Sequence, residues 1–227
     1  MRISEDLAAE LVATANELAD VARSATLSYF RSRTLLAENK ETRRFDPVTA
    51  ADRLSEERMR SILGHRRPQD GVLGEEFGAT EGTSGLTWVL DPIDGTRSYM
   101  SGTPTWGVLI SVRDAMGPLY GIIDQPYIGE RFEGGLGRAQ MTGPLGQSAL
   151  AVRDTRPLTE ATLFTTFPEV GTPEEGAAFR RVADKARLVR YGTDCYAYAL
   201  IAAGQIDLVI EAGLQAYDIV PLIPIIE

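Results

Sequence analysis

Apolar positions in the first thirty residues recur at helical intervals. In SEDLAAELVATANELADVARSATLSYF, Leu7, Leu11, Ala15, Leu18, Ala22 and Phe30 fall near one face, Ser4 stands at the N-cap position, and Glu5 and Asp6 occupy the first turn. The pattern predicts a long amphipathic helix packed on another layer. A charged link, ENKETRRFDP, leads to a second helical pattern over about Ala51–Leu63, with Leu54, Met59, Ile62 and Leu63 apolar and Pro68 closing the region. Beyond Pro68 the rhythm shortens to GVLGE, LTWVLD, TWGVLISVRD, GPLYGIIDQP and ERFEGG, separated by Gly, Pro and Asp, which reads as strands. Strands so close together predict an antiparallel or mixed sheet, not a regular βαβ series. After about Ala151 the signals alternate: PEEGAAFRRVADKA as helix, RLVRYG as strand, CYAYALIAAG as helix, IDLVIEA as strand. The chain therefore divides into an N-terminal α+β part over 1–150 and a smaller α/β part over 151–227. The last segment, DIVPLIPIIE, reads as the start of an apolar helix with Asp218 at its cap. An element so apolar is expected to pack on further chain, so the natural C-terminal part is expected to be missing.

Composition narrows the chemistry. At 227 residues, 44% hydrophobic and 24% charged, the chain is long enough for a sizeable core and has an ordinary globular balance. A net charge of −9, from 32 acids against 23 bases, disfavours nonspecific attraction to nucleic acid or anionic lipid. One cysteine, Cys195, cannot form an internal disulfide, the N-terminus lacks the order of a signal peptide, and no apolar window is long enough to span a bilayer. These features predict a cytoplasmic protein with neither nucleic acid nor membrane as partner. The single histidine, His65 in GHRRP, reads as a solvated helix-end residue. So little His and Cys excludes zinc sites and Ser-His-Asp or Cys-His catalysis. The remaining chemistry is that of carboxylates, hydroxyls, backbone groups and oxygen-loving metals.

The carboxylates are patterned. WVLDPIDGT ends an apolar run on Asp91, with Pro92 expected to stop the ladder, Asp94 at a turn, Gly95 permitting close backbone approach and Thr96 opening a helix through RSYM. Two acids a few Å apart repel unless a cation lies between them, and oxygen-only donors select magnesium, manganese or calcium. Alone, D-x-x-D-G is as well explained by two solvated turn aspartates. Other segments extend the pattern: Glu75 and Glu76 follow a short strand in GVLGEEFG, with Glu76 expected to be solvated; FDPVTAADR carries Asp46, Thr49 and Asp52 into a helix start; and QAYDIVP carries Asp218.

In this order DPVTAAD, GEE, DPIDGT and YD resemble the inositol monophosphatase superfamily of magnesium-dependent phosphatases, and GTDCYAYALIAAGQIDLVIEAG fits the same family. The resemblance covers essentially the whole chain and implies an αβαβα layered sandwich with the site between its two parts. It implies that Glu75, Asp91 and the Ile93 carbonyl hold a first Mg2+, that Asp91, Asp94 and Asp218 hold a second, and that a third, weaker ion lies near Glu75. It also implies that Thr96 with Asp52 orients and deprotonates the attacking water, that the Gly95 and Thr96 amides receive phosphate, and that the protein is a homodimer. Tyr217 stands where the family commonly has Trp, which keeps an aromatic wall. The RYG-x-DCY-x-Y and DLV-x-E-x-GL-x-x-YD patterns look most like the histidinol-phosphatase branch, with Asp194 and Glu211 facing the leaving group. An inositol-1-monophosphatase and a noncatalytic interaction protein on the same fold are the alternatives, and Asp194 is as well explained as a helix cap. Tyr196, Tyr198, Trp106 and Cys195 read as core or interface residues, and Arg97 either as a solvated helix position or as a partner for phosphate or a neighbouring acid.

Overall fold

A computed structural model describes residues 3–33, 37–39 and 47–227. Residues 40–46 of the charged link, Asp46 among them, lie outside the described residues. Ser4 accepts the Leu7 amide at 3.2 Å and opens α1 (Glu5–Tyr29). Short strands β1 (Ala37–Asn39) and β2 (Pro47–Thr49) pair antiparallel. Thr49 then caps α2 (Ala50–Arg66) in a capping box with Asp52, so the hydroxyl and the carboxylate each satisfy orphan amides of the first turn.

The strands follow as β3 (Gly71–Gly74), β4 (Gly78–Thr80) and β5 (Thr87–Asp94), then the short helix α3 (Thr96–Ser101), then β6 (Gly107–Asp114), β7 (Gly117–Gln125), β8 (Glu130–Gly135), β9 (Arg138–Gly143) and β10 (Gly146–Ala149). Among the described residues they form an eight-stranded sheet of order β10-β9-β8-β7-β6-β5-β3-β4. It is antiparallel except for the parallel pair β3–β5, and is thus the mixed sheet that the strand spacing predicts. The second half supplies β11 (Thr162–Thr165), α4 (Pro173–Ala183), β12 (Leu188–Tyr191), α5 (Tyr196–Ala202), β13 (Leu208–Val209), α6 (Ala216–Ile219) and α7 (Ile223–Ile226). Its strands form a parallel sheet of order β12-β11-β13.

Side-chain alternation on the central strands produces the layers. Val108, Ile110 and Val112 of β6 face α1 and α2, where Leu11, Ala15, Leu18, Ala22 and Met59 complete a fully buried core around Trp88. Leu109, between them, points to the opposite face with Ile123 and Phe132 and meets Ala199 of α5 and Ile225 of α7. Helix α5 also packs on β13, while Phe179 and Val182 of α4 close against Leu163 and Val189 of the small sheet. The order is helix, sheet, helix, sheet, helix, the αβαβα sandwich. The C-terminal segment lies so close to the large sheet that a Cβ at Gly121 would collide with the Pro221 carbonyl, and one at Gly134 with that of Pro224.

Several boundaries differ from the sequence expectation. Strand β5 does not stop at Asp91 but runs to Asp94, with Asp91 opposite Leu109, Asp94 opposite Gly107 and a register shift between. The bulge takes Pro92 out of the ladder, so its missing donor breaks nothing. IDLVIEA yields only the two-residue β13, and strands β1, β2, β4, β9, β10 and β11 add to those expected. DIVPLIPIIE contributes to two short helices, α6 and α7, and the N-cap of α6 is Gln215, with Asp218 as its third helical residue.

One buried ion cluster fastens α1 to the sheet. Asp124 of β7 is fully buried and accepts from Arg23 at 2.7 and 3.0 Å and from Arg131 at 2.8 Å. Arg131 continues to Asn16 and Asp20 on α1. Asp124→Asn leaves both guanidinium groups without their buried counter-charge, and should lower unfolding free energy by about 3 kcal/mol in denaturant titration.

Candidate active site

The bulge that ends β5 carries the first acids. Asp91 is almost fully buried, and its Oδ1 accepts the Ile93 amide at 3.0 Å, which folds the chain back on the carboxylate. Three residues on, Asp94 Oδ2 accepts the Cys195 amide from the start of α5 at 2.6 Å. Asp218 arrives on α6, its Oδ2 held by the Gln215 amide at 2.7 Å. One carboxylate oxygen from each of Asp91, Asp94 and Asp218 lies within 4.8 Å of the others. Glu75 follows β3 directly, its amide bonded to the Leu90 carbonyl at 3.2 Å, and its carboxylate shares a hydrogen bond with Asp91.

These acids are strained as anions. Burial, and then the charges of Glu75, Asp94 and Asp218, push Asp91 well above the usual carboxylate range. Burial, then Asp194 and Asp218, do the same to Asp94, and burial lifts Asp218 to about 6. Asp52 is fully buried beside Glu75, and burial raises it to about 6 against the opposing effect of Thr49. Its Oδ2 accepts the Thr49 amide at 2.8 Å and the hydroxyl at 2.5 Å, whereas Oδ1 has no hydrogen-bond partner among the described residues. Three converging carboxylates with no nitrogen or sulfur donor among them, and a buried carboxylate oxygen left unpaired nearby, suit a hard divalent cation with its water.

Around this cluster runs a cleft of about 600 Å3. Its wall includes Glu75, Asp91, Ile93, Asp94 and Asp218, together with Gly95, Thr96, Asp194 and Glu211, so every candidate site residue except Asp52 borders it. Gly95, at φ 83°, turns the chain into α3, and a Cβ there would press on the Asp194 carboxyl carbon at 2.7 Å. The Thr96 hydroxyl donates to the Ile93 carbonyl at 3.1 Å. Asp194 does not cap α5, whose N-cap is Cys195; it sits at φ 45° and accepts from Ser98 at 2.5 Å and Thr105 at 2.9 Å, clamping α3 to the second half. Glu211 accepts the Thr166 amide and hydroxyl, both at 2.8 Å, and burial raises its pKa.

Arg97 is exposed on α3, the solvated helix position that the sequence offers, and lies over the ring of Phe167 at 5.0 Å in a cation–π contact. Two other cleft residues depart from the sequence reading. Phe167 was not singled out, although TTFPE follows strand β11 where a Pro-bounded turn at the end of a parallel strand favours a ligand site. Tyr198 lines the cleft with Tyr217 and is not purely core, because α5 turns one edge to the small sheet and one to the site.

A layered α/β sandwich with an all-oxygen acid cluster in the cleft between its sheets is the architecture of a family of phosphatases. The sequence matches the inositol monophosphatase family over residues 7–227, and the chain belongs to that family. It is 41% identical to the bifunctional phosphatase IMPL2, chloroplastic, of Arabidopsis thaliana over 95% of this chain and 61% of that protein. It is 34% identical to a histidinol-phosphatase of Chlorobaculum parvum, over 93% and 80% of the two chains. The solved structure of an inositol monophosphatase from Zymomonas mobilis superposes with a TM-score of 0.81 at 37% identity, covering 94% of this chain and 81% of the other. No helix among the described residues is long and apolar enough to cross a membrane.

The raised acids make stability depend on pH in a defined direction. Asp52 and Asp218 hold protons up to about pH 6 when folded, but release them near 3.8 when unfolded. The folded state therefore binds more protons in between, and stability falls as pH rises from about 4 through 6. Metal-free protein should melt higher at pH 5 than at pH 7.5, by on the order of 5 °C. Millimolar Mg2+ should raise the melting temperature more at pH 7.5 than at pH 5. A metal-free melting temperature that climbs with pH would show the acids are not strained.

Proposed function

We propose that this chain is a magnesium-dependent phosphomonoesterase whose preferred substrate is histidinol phosphate. The observation that carries the reading is the convergence of Asp91, Asp94 and Asp218 in a cleft flanked by further acids and aromatic rings. Glu75, Asp91 and the Ile93 carbonyl would hold one ion, and Asp91, Asp94 and Asp218 a second, with a third, weaker ion near Glu75. Bound Mg2+ supplies Lewis-acid polarisation of the phosphoryl group and acidifies water.

The residues do the rest. Among the described residues Asp52 keeps an unpaired oxygen, and in this reading it takes the proton of the attacking water by way of Thr96, which borders the cleft and orients that water. The water oxygen bonds to phosphorus as the bond to the ester oxygen breaks, that oxygen leaves with the bonding pair and takes a proton from solvent to give the alcohol, and the Gly95 and Thr96 amides hold the phosphate. On the leaving-group side, Glu211 and Asp194 give an acidic wall and Phe167 and Tyr198 an aromatic one, which suits an ammonium and an imidazole better than a neutral polyol. Asp194 is already held by two hydroxyls, so it acts through its charge and through the placement of α3. The second reading is an inositol-1-phosphate phosphatase, which the similarity to the Zymomonas inositol monophosphatase favours.

Asp94→Asn and Asp218→Asn should each lower kcat by at least about 100-fold in a phosphate-release assay, without loss of fold by circular dichroism. Thr96→Ala should lower kcat more than it raises KM, because the orientation of a water matters in the transition state. For the substrate, kcat/KM on histidinol phosphate should exceed that on inositol 1-phosphate by about tenfold or more, and Glu211→Gln should narrow the gap. A preference for the inositol ester, untouched by Glu211→Gln, would sink the histidinol reading and leave the polyol ester as substrate.

A further inference from the structure

Helix α2 carries a second fully buried acid, Glu56, one turn beyond Asp52. It faces the short turn that joins β3 to β4. Its Oε2 accepts the Glu76 amide at 2.7 Å and its Oε1 the Phe77 amide at 3.3 Å. Arg60, one turn further, donates to Oε1 at 2.7 Å, and its other nitrogens reach the Gly78 carbonyl at 2.5 Å and the Thr80 hydroxyl at 3.1 Å. The carboxylate lies so close to β3 that a Cβ at Gly74 would overlap Glu56 Oε1. Glycine at 74 is therefore a condition of this contact. The backbone on either side of Glu75 is thus tied down: its own amide to Leu90 of β5, and the next two amides to one buried charge.

The geometry points to Glu56 as the positioning residue that fixes Glu75 for metal binding. This rests on the reading of Glu75 as a ligand. A carboxylate that accepts two consecutive backbone amides and a guanidinium holds that turn more firmly than neutral acceptors would, because the bonds are charge-assisted and shielded from water. A solvent-facing turn with no such anchor would let the Glu75 side chain sample many positions, and the cation would have to order it on binding. Outer partners that orient a ligand in this way typically change metal affinity by about 10–100-fold when replaced. The Glu56 anchor should accordingly act on affinity for the ion and leave the chemical step almost intact once the ion is bound.

The test is direct binding of Mn2+ as a probe ion, read from the loss of the free aquo-ion signal in electron paramagnetic resonance, beside the Mg2+ dependence of phosphate release. Glu56→Gln, an isostere without the charge, should weaken Mn2+ binding by about tenfold. It should raise the Mg2+ concentration for half-maximal activity in proportion, with kcat at saturating Mg2+ within about threefold of the wild type. Asp124→Asn, a buried acid far from the turn, should lower the melting temperature without moving Mn2+ affinity, which separates positioning from general loss of stability. Glu75→Gln must weaken Mn2+ binding at least as much. If Glu75→Gln weakens it and Glu56→Gln does not, positioning by Glu56 is wrong. If neither does, the ligand assignment of Glu75 is wrong. Should Glu56→Gln fail to fold, Arg60→Gln carries the test, with about a threefold weakening expected and unchanged affinity overturning the proposal.

Discussion

The mutual repulsion of carboxylates in a buried corner is the constraint around which this molecule is organised. Asp91, Asp94 and Asp218 are brought within a few Å of one another and Glu75 is set beside them, although burial and charge both oppose it. Several donors come from the backbone. The Ile93, Cys195 and Gln215 amides each meet one of these acids, and such donors need no side-chain ordering and carry no charge of their own. The β5 bulge makes this possible, since it breaks the ladder register between Asp91 and Asp94 and frees the backbone there to fold back on its own carboxylate. A cation is what turns this unfavourable arrangement into a favourable one.

Holding like charges together demands rigidity elsewhere. The large sheet is fastened to α1 by the buried Asp124 cluster and to α1 and α2 by a core around Trp88. The second half is tied to the first where it matters for the cleft. Asp194 takes two hydroxyls, one from α3 and one from the turn that follows it, and Asp94 takes an amide from the start of α5. The acids of the cluster thus come mostly from one sheet and its flanks, and much of the opposite cleft wall from the second half.

How much of this was legible in the chain follows from what each residue depends on. Helices α1 and α2 were readable because their apolar spacing and their caps, Ser4 and Thr49, are local properties. Strands β3 and β5 to β8 were readable because at least one face of each is apolar. Strands β9 and β10 were not: RAQMTG and GQSA have little apolar face and owe their form to pairing, β9 with β8 and the edge strand β10 with β9. The acids of the site stood out because two carboxylates beside Pro and Gly at a strand end are poorly explained by packing alone. Glu56 and Phe167 did not, because one looks like any charged residue on an amphipathic helix and the other like any loop aromatic. Their significance lies in partners distant in sequence, such as the Glu76 amide and Arg97. Asp194 illustrates the same limit, since helix capping and tertiary clamping ask for the same side chain and only the fold separates them.

The hydrogen bond from the Cys195 amide to Asp94 joins residues 101 apart in sequence. On a ribosome, the acids of β5 emerge well before α5, and Asp218 later still, so the young chain has a partial set of like charges with no enclosed place for them. At about 5–20 residues per second, several seconds pass before the missing partners arrive. During that interval an ion finds an incomplete and solvated set of ligands. A cation that needs the complete set of acids can therefore be held only late in the life of each molecule, once the two sheets have docked.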